Sequence, residues 1–524
     1  MRAGAQVPLA SFELLRGSKN ILAPKLSEAE DQKREERKIP KSKHVSVAKV
    51  AGTPIENFKG VAGRNVNDSG RGRRDFSKRS RIRDAVRRDF GGKTFSSSAQ
   101  TASMACARSA MPAHLIHRTT SEFDESITAT LPSPPDWVVN KEHYACQRKT
   151  PASQANEDFL SKLDTIRHAR LLTSDEIGVR AYSTSIAAIA AYPFKLQSSM
   201  EVLALPGCDQ KIADLFHEYN TNDGQIKAVI DVESDEALSI LNEFYNIWGV
   251  GAITARDFYY DKGWKDLDDV IEFGWSSLSR VQQIGLKYYD DFKLKIPRAE
   301  SELIAGQILQ HAQQLTGDGV QAIIVGGYRR GKSESGDVDV ILSHPDQDMT
   351  LDLVSQVVAS LEKVGWITHT LTLNLTNSKR GQEPLQIRPS GSHGFDTLDK
   401  ALVVWQDPNW EAKAADLAAN PKAKNPNPHR RVDIIISPWK TVGCAVAGWS
   451  SGTTFQRDLR RYAKNVKGWK FDSSGVRDRA TGNWIDLESW RDESSRSKNW
   501  KESEFRVFQG LGLKYQEPED RCTW

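Results

Sequence analysis

The chain has 524 residues, too many for one compact core, so several domains or a folded part with tails are expected. Hydrophobic residues make up 39% of it, and no run reaches the ~18 apolar residues that a membrane span needs, which argues against an integral membrane protein. The five cysteines, Cys106, Cys146, Cys208, Cys444 and Cys522, are scattered without a C-x-x-C pair; no zinc knuckle or disulfide framework is readable, and a reducing compartment is expected.

The net charge of +4 is concentrated at one end: residues 1–100 hold 23 Lys/Arg against 11 Asp/Glu, so the remainder is acidic. Arg71–Arg88, RGRRDFSKRSRIRDAVRR, reads as a nuclear import signal, a loose phosphate-binding arm or a plain solvated tail. A transit peptide at the extreme N-terminus is a further, weaker reading. Up to about Thr150 neither a period of two nor one of 3.6 is sustained, and a Ser/Ala/Arg/Gly-rich composition buries too little surface to offset ordering entropy. Residues 1–135 are therefore predicted to be a disordered basic tail ending in the linker PSPPDW (132–137).

Helical periodicity begins after Asn156, a candidate cap, with Phe159, Leu163, Ile166 and Arg170 on one face; a second helix is expected from Ser174 to before Pro193. The segments LALPGCDQKIADLF (203–216) and NIWGVGAITARDFY (246–259) read as tandem helix-turn-helix units, the second preceded by a helix with Leu238, Leu241, Phe244 and Trp248 on one face. Gly249, Val250 and Gly251 form a turn tight enough to aim backbone N–H groups at a phosphate, as in the helix-hairpin-helix motif of non-sequence-specific DNA binding. The first unit has Gly207, but Asp209 where the second glycine belongs, which weakens its phosphate grip.

After Pro297 the pattern becomes mixed α/β: a helix near 299–315, strands at 321–325 and 338–342, a helix with Leu351, Val354, Val358 and Leu361, and strands near 402–406 and 432–436. Two polar stretches, 374–398 and 407–429, read as long surface loops. The central signal is GGYRRGKSESGDVDVILSHP (326–345). Strand alternation puts Asp337 and Asp339 on one side of a sheet, about 7 Å apart. Upstream, Gly326 and Gly327 let the backbone approach an anion closely, and Arg330 supplies a forked donor for phosphate. RRVDIIISP (430–438) adds Asp433 at the head of a very apolar strand, where a charge is costly unless a metal or Arg431 compensates it. Three acids beside a glycine-floored anion cradle suit two-metal nucleotidyl transfer: Asp337 and Asp339 bridging both ions, Asp433 holding the primer-side ion or first accepting the hydroxyl proton.

With these motifs, residues 150–524 resemble a family X DNA polymerase, and GWSSGTTFQRDLRRYAK (448–464) with ESEFRVFQGLGLKYQEPEDR (502–521) is similar to the mu and terminal transferase branch, fungal members included. The resemblance implies a multidomain α+β fold: a lyase-type helical domain (150–235) with the first hairpin, a helix-hairpin-helix DNA-binding subdomain (236–297), a palm with a nucleotidyltransferase-type mixed β-sheet (298–440), and a small nucleotide-selecting α/β subdomain (441–524). It implies Asp337, Asp339 and Asp433 as catalytic, metal-holding residues with Mg²⁺ or Mn²⁺. Gly326, Gly327, Arg330, Gly336, Gly448 and Trp449 would face the nucleotide, with Arg431 in support. Gly207, Lys211, Gly249, Val250, Gly251, Gln456 and Arg460 would face DNA, with a monovalent cation at the hairpin turns. Gapped or broken DNA and nucleoside triphosphates are the expected partners, with end-joining proteins; a nuclear monomer is expected.

Gly448 leaves space at the sugar 2′ position and Trp449 packs on the sugar, which predicts weak discrimination against ribonucleotides. Leu215 stands where repair members carry the lyase lysine, so no Schiff-base chemistry is expected, although Lys211 remains for a 5′-phosphate. Gly336 replaces the histidine of terminal transferase, which argues against template-independent addition, whereas the insert at 374–398 argues for it. Ser451 and Gly452 reverse the family's usual order. No BRCT domain is readable in 1–135. Two other readings are weighed: an RNA-tailing or tRNA-end nucleotidyltransferase, which shares the Gly-Gly and D-x-D core but not the tandem hairpins, and a catalytically silent DNA end-bridging protein.

Overall fold

The structure is a computed structural model that describes residues 133–387, 396–489, 497 and 499–523. The tail up to residue 132, with its Arg71–Arg88 run and the region searched for a BRCT domain, lies outside the described residues, as does Cys106. The architecture is the multidomain α+β one that the sequence predicts, and among the described residues no helix is long and apolar enough to cross a membrane.

The end of the PSPPDW stretch is anchored rather than a free linker: Trp137, in a short helix Asp136–Val139, packs on the first helical core. That core joins α1 (Glu157–Leu172), α2 (Glu176–Ala190), α3 (Ser199–Ala204) and α4 (Gln210–Thr221) through Phe159, Leu160, Leu163, Ile186, Ile189 and Phe216. Asn156 does not cap α1. Its amide instead donates to Phe194 O (3.0 Å) and accepts from Leu196 N (2.9 Å), stapling the loop after α2. The cap of α2 is Asp175, accepting from Gly178 N at 2.9 Å, and Ser174 lies outside the helix.

A second helical core contains α5 (Glu236–Tyr245), α6 (Ala252–Arg256) and α7 (Arg280–Lys287). Leu238, Leu241 and Phe244 point into it as predicted, but α5 ends at Tyr245, so Trp248 belongs to the following turn and not to the helix face.

The central sheet has five strands: β1 (Gln321–Ile324), β2 (Val338–Ser343), β3 (Ile367–Asn374), β4 (Asp399–Trp405) and β5 (Arg430–Ile436), in the order β1-β2-β5-β4-β3. Only the β2–β5 pair is parallel. Helices α8 (Arg298–Thr316), α9 (Gly326–Arg329), α10 (Leu353–Val364) and α11 (Val442–Trp449) complete this part. α8 and α10 cover one face, burying Val338, Val340, Leu342, Val432, Ile434 and Ile436, while α11 packs on Ile341 and Ile435 of the other. The predicted loops are more ordered than their polarity suggests. The first starts at Asn374, the last residue of β3, and continues through a helix Thr376–Lys379 capped by buried Asp399, residues 388–395 lying outside the described residues; the second contains a helix Lys413–Ala419.

The C-terminal part consists of α12 (Thr453–Lys467), a small antiparallel sheet of β6 (Trp469–Asp472), β7 (Gly475–Asp478) and β8 (Trp484–Ile485), and α13 (Trp500–Leu511). Its core of Phe455, Leu459, Val507, Phe508 and Leu511 takes in Cys146 from far upstream, and Thr150 bridges to Arg521 (Thr150 N to Asp520 O, 2.7 Å). Cys146, Cys208, Cys444 and Cys522 are free thiols.

Between sheet and C-terminal part lies a buried ion network. Glu504 and Arg521 are 0% exposed; Glu504 takes both guanidinium nitrogens of Arg329 (2.9 and 2.6 Å) and Arg521 Nη1 (2.7 Å), and accepts from the Tyr515 hydroxyl at 3.2 Å. Burial alone would push the Glu504 carboxyl up, but Arg521 and Arg329 outweigh it and hold it below the usual range. Glu504→Gln strands two buried cations and should cost about 3–5 kcal/mol at neutral pH, read from urea unfolding. Because the folded-state carboxyl titrates below its unfolded value, the network's contribution is present above the unfolded value and lost as pH falls through the folded one. The gap between wild type and variant should therefore close in acid.

Candidate active site

The period of two along β5 sends Val432, Ile434 and Ile436 into the core and so turns Arg431, Asp433 and Ile435 to the opposite face. The same alternation along β2 leaves Asp339 beside Ile341. Because the two strands are parallel and in register, Asp339 stands directly opposite Asp433. Asp337, just before β2, lies with its carboxylate 3.7 Å from Arg431 Nη2. The sequence reading offers Arg431 or a metal as compensation for Asp433; Arg431 does oppose the rise of the Asp433 carboxyl, while its ion pair is with Asp337 and it donates to Gly336 O at 3.1 Å. Among the described residues no three acid, imidazole or thiol groups are drawn into a metal-ligating set, so the acids are neighbours without forming a closed cage.

Their charges are poorly compensated. Desolvation, then Asp337 and Asp433, push Asp339 well above the usual carboxylate range against weaker help from Arg330 and Arg431. Desolvation and then Asp337 push Asp433 up to about 7, opposed by Lys400 and Arg431. The three acids form a half-buried patch of negative charge that the neighbouring cations do not fully offset.

β1 runs into this pocket. Val325 N bonds Asp339 O at 2.9 Å, and the chain then turns through Gly326 with φ +61° into α9. A Cβ at 326 would overlap the Asp339 carboxylate, so this turn against the acids requires glycine. A side chain at Gly327 would press on Ser335 and Lys332. The two arginines that follow divide their work: Arg329 is consumed by Glu504 and by Ser450 Oγ (2.6 Å), whereas Arg330 is partly buried near Asp339 and Asp337 and forms no ion pair among the described residues.

Gly448 is buried at the end of α11, and Trp449 packs on the apolar face with Ile323, Ile341 and Ile435. The turn after them is held by Ser451 Oγ donating to Ala447 O (2.6 Å), and Gly452 lies so close to Thr523 that any Cβ would collide with its backbone, which fixes why glycine comes second here. On α12, Gln456 donates to Ser451 O (2.9 Å), and burial lowers Arg460 beside Asp472. Arg457 and the exposed Arg461 both pair with buried Asp458 (3.3 and 3.2 Å).

In the hairpins, Gly207 (φ +104°) and Gly249 (φ +87°) hold backbone that disfavours side chains. Val250 is buried, and Gly251 caps α6 with open space where its side chain would be. In the first hairpin the Asp209 carboxylate caps α4 through Ile212 N (3.2 Å), placing a negative charge where a phosphate would come. Lys211 lies over the Tyr182 ring (5.4 Å), and Leu215 is buried in the first core.

Sequence reasoning missed Lys400, which pairs with Asp396, lies 5.7 Å from the Trp449 ring and lowers Asp433. Its only signal was a lone cation at the head of an apolar strand. It also missed Arg329 and Glu504, which are far apart in sequence and have no spacing signal.

The parts of the chain that carry these residues have counterparts in known proteins. Residues 154–223 match the model of a helix-hairpin-helix domain, 242–293 the fingers domain of DNA polymerase lambda, 295–439 the DNA polymerase beta palm and 445–522 the DNA polymerase beta thumb. The chain is 31% identical over 388 residues to the DNA polymerase type-X family protein pol4 of Schizosaccharomyces pombe, covering 74% of this chain and 68% of that protein. It is 27% identical to DNA polymerase lambda of Rattus norvegicus (74% of this chain, 60% of that one) and 23% identical to DNA nucleotidylexotransferase of Xenopus laevis (79% and 78%). The match thus spans less than two thirds of the rat polymerase. The chain belongs to the type-X family of DNA polymerases, enzymes of the DNA-directed nucleotidyltransferase class.

Proposed function

We propose that this polymerase, a mu- and terminal-transferase-like member, extends 3′-hydroxyls at short gaps and broken ends in nonhomologous end joining in the nucleus. Its site is Asp337, Asp339 and Asp433. The observation that carries the reading is the parallel register of Asp339 with Asp433 under the Gly326 turn.

The donor set fits hard divalent cations such as Mg²⁺ or Mn²⁺: three carboxylate-bearing residues, two of them desolvated and under-compensated, beside a cradle that a single Cβ would fill. Cations held by the three acids would supply stabilisation of charge developing on the attacking and leaving oxygens. The chain's own groups do the remaining work. The Gly326–Gly327 backbone and Arg330 receive the triphosphate, Arg431 limits repulsion around Asp337, and Gly448 with Trp449 receives the sugar. The second hairpin, Gln456 and Arg460 hold the DNA.

The end-joining reading draws on the 374–398 insert. Its described ends are tied to the C-terminal sheet: Arg477 donates to Pro384 O (3.0 and 2.8 Å), Leu385 N to Ser474 Oγ (2.9 Å) and Thr397 N to Ser473 Oγ (2.9 Å). An element braced in this way beside the nucleotide-selecting part suits the support of poorly paired ends.

Asp433→Ala is expected to remove primer extension on one-nucleotide gapped DNA while leaving DNA affinity, measured by fluorescence anisotropy, nearly intact; substantial residual extension contradicts the assignment. Two side activities separate this enzyme from repair relatives. Ribonucleotides should be incorporated at rates approaching deoxynucleotides, a preference above about a thousandfold being contradictory. Borohydride should trap no adduct on an abasic 5′ end, because Leu215 offers no amine.

A further inference from the structure

Three consecutive residues at the head of β5 reach back into the second helix-hairpin-helix region. His429, through its backbone N–H and Nδ1, meets Asp291 Oδ2 at 3.0 and 2.7 Å, and its ring stacks on Tyr288 with centroids 3.8 Å apart. Arg430 binds Glu300 through Nε and Nη2 (2.7 and 2.9 Å) and donates to Leu294 O at 3.3 Å. The Arg431 guanidinium lies 4.3 Å from the centroid of the Trp248 ring. Two residues further along the same strand is Asp433.

Of the three contacts, only the last also touches the acids. Arg431 Nη2 is held by Gly336 O and lies 3.7 Å from Asp337, while Nε is buried without a hydrogen-bond partner among the described residues. The guanidinium is therefore held by the tryptophan ring and the Gly336 carbonyl together. Trp248 in turn has little freedom: it directly precedes Gly249 of the hairpin turn, and at Gly285 in α7 any Cβ would collide with its carbonyl oxygen. The hairpin turn, Trp248, Arg431 and the Gly336–Asp337 backbone form one continuous packed chain.

We propose that Trp248 is a positioning residue for polymerisation: by stacking on Arg431 it fixes Asp337 relative to Asp433, so that the chemical rate depends on how the second hairpin is seated. This deepens, and rests on, the reading of the three acids as the polymerisation site. A ring in this place does not touch the reacting atoms. Its loss acts on the geometry of the acids and not on DNA affinity.

The test uses the full chain as Trp248→Ala, Trp248→Phe, Arg431→Lys and the Trp248→Ala/Arg431→Lys double variant, with Asp433→Ala as control. Extension rate is measured at saturating gapped DNA and nucleotide, DNA affinity by anisotropy, and folding by thermal unfolding. Trp248→Ala should lower the saturating rate about tenfold or more, with DNA affinity and nucleotide KM within about twofold of wild type. Trp248→Phe should restore most of the rate, because it restores a ring. Arg431→Lys keeps the charge but loses the plane, so the double variant should be no slower than the slower single variant. If Trp248→Ala does not fold, Trp248→Leu, which has bulk but no ring, takes its place. An inactive wild type, or an active Asp433→Ala, sinks the polymerase-site reading itself. With those controls as expected, the inference is overturned by a wild-type saturating rate in Trp248→Ala, by a loss of DNA affinity alone, by a Phe variant as slow as Ala, or by rate losses that multiply in the double variant.

Discussion

The whole structure is arranged around two carboxylates that repel each other. The parallel pairing of β2 with β5 sets Asp339 opposite Asp433, with Asp337 at the mouth of the same face. Left alone, such a group is a cost: desolvation and neighbouring carboxylates, Asp337 above all, raise both paired acids. The sheet tolerates the conflict because its other face is a continuous apolar layer under α8 and α10, which fixes register and with it the side on which every alternate residue emerges. A slip of one residue would bury the acids and expose the valines and isoleucines. Function and folding are thus coupled through a single constraint, the register of one parallel strand pair.

Around that pair, separate parts of the chain are locked by buried charge and not by apolar area alone. Glu504 with Arg329 and Arg521 joins the glycine-rich turn to the last helix, so that the turn and the C-terminal part share one ion network. His429, Arg430 and Arg431 join the acid-bearing strand to the second hairpin region through Asp291, Leu294 O and Trp248. Both connections start within a few residues of Asp433 or of the Gly326–Gly327 turn. Buried ion pairs contribute little net stability compared with apolar packing, but they are selective about geometry, which is what a site assembled from distant segments requires.

Much of this was legible in the sequence, and for identifiable reasons. The D-x-D pair, the Gly-Gly turn and Asp433 are local patterns, each constrained by the period of a strand or the freedom of a glycine, and the structure brings them together at one place. The helical cores followed from periodicity. What stayed hidden depends on partners distant in sequence. Asn156 looks like a cap but staples a loop, and Trp248 looks like a helix-face residue but lies against Arg431. The polar stretch 374–398 reads as a loop because its anchors, Asp399, Ser473 and Arg477, lie outside it. In each case local composition was read correctly and the tertiary partner decided the role.

The central claim is that the three acids converge on divalent cations when DNA and nucleotide are bound. A crystal structure of the enzyme with one-nucleotide gapped DNA, a non-hydrolysable deoxynucleotide and Mg²⁺ tests it most directly. The account predicts octahedral ions about 2.0–2.1 Å from oxygens of Asp337, Asp339 and Asp433, with the triphosphate over the Gly326–Gly327 turn. Ions bound elsewhere, or an Asp433 carboxylate turned away from them, would contradict it.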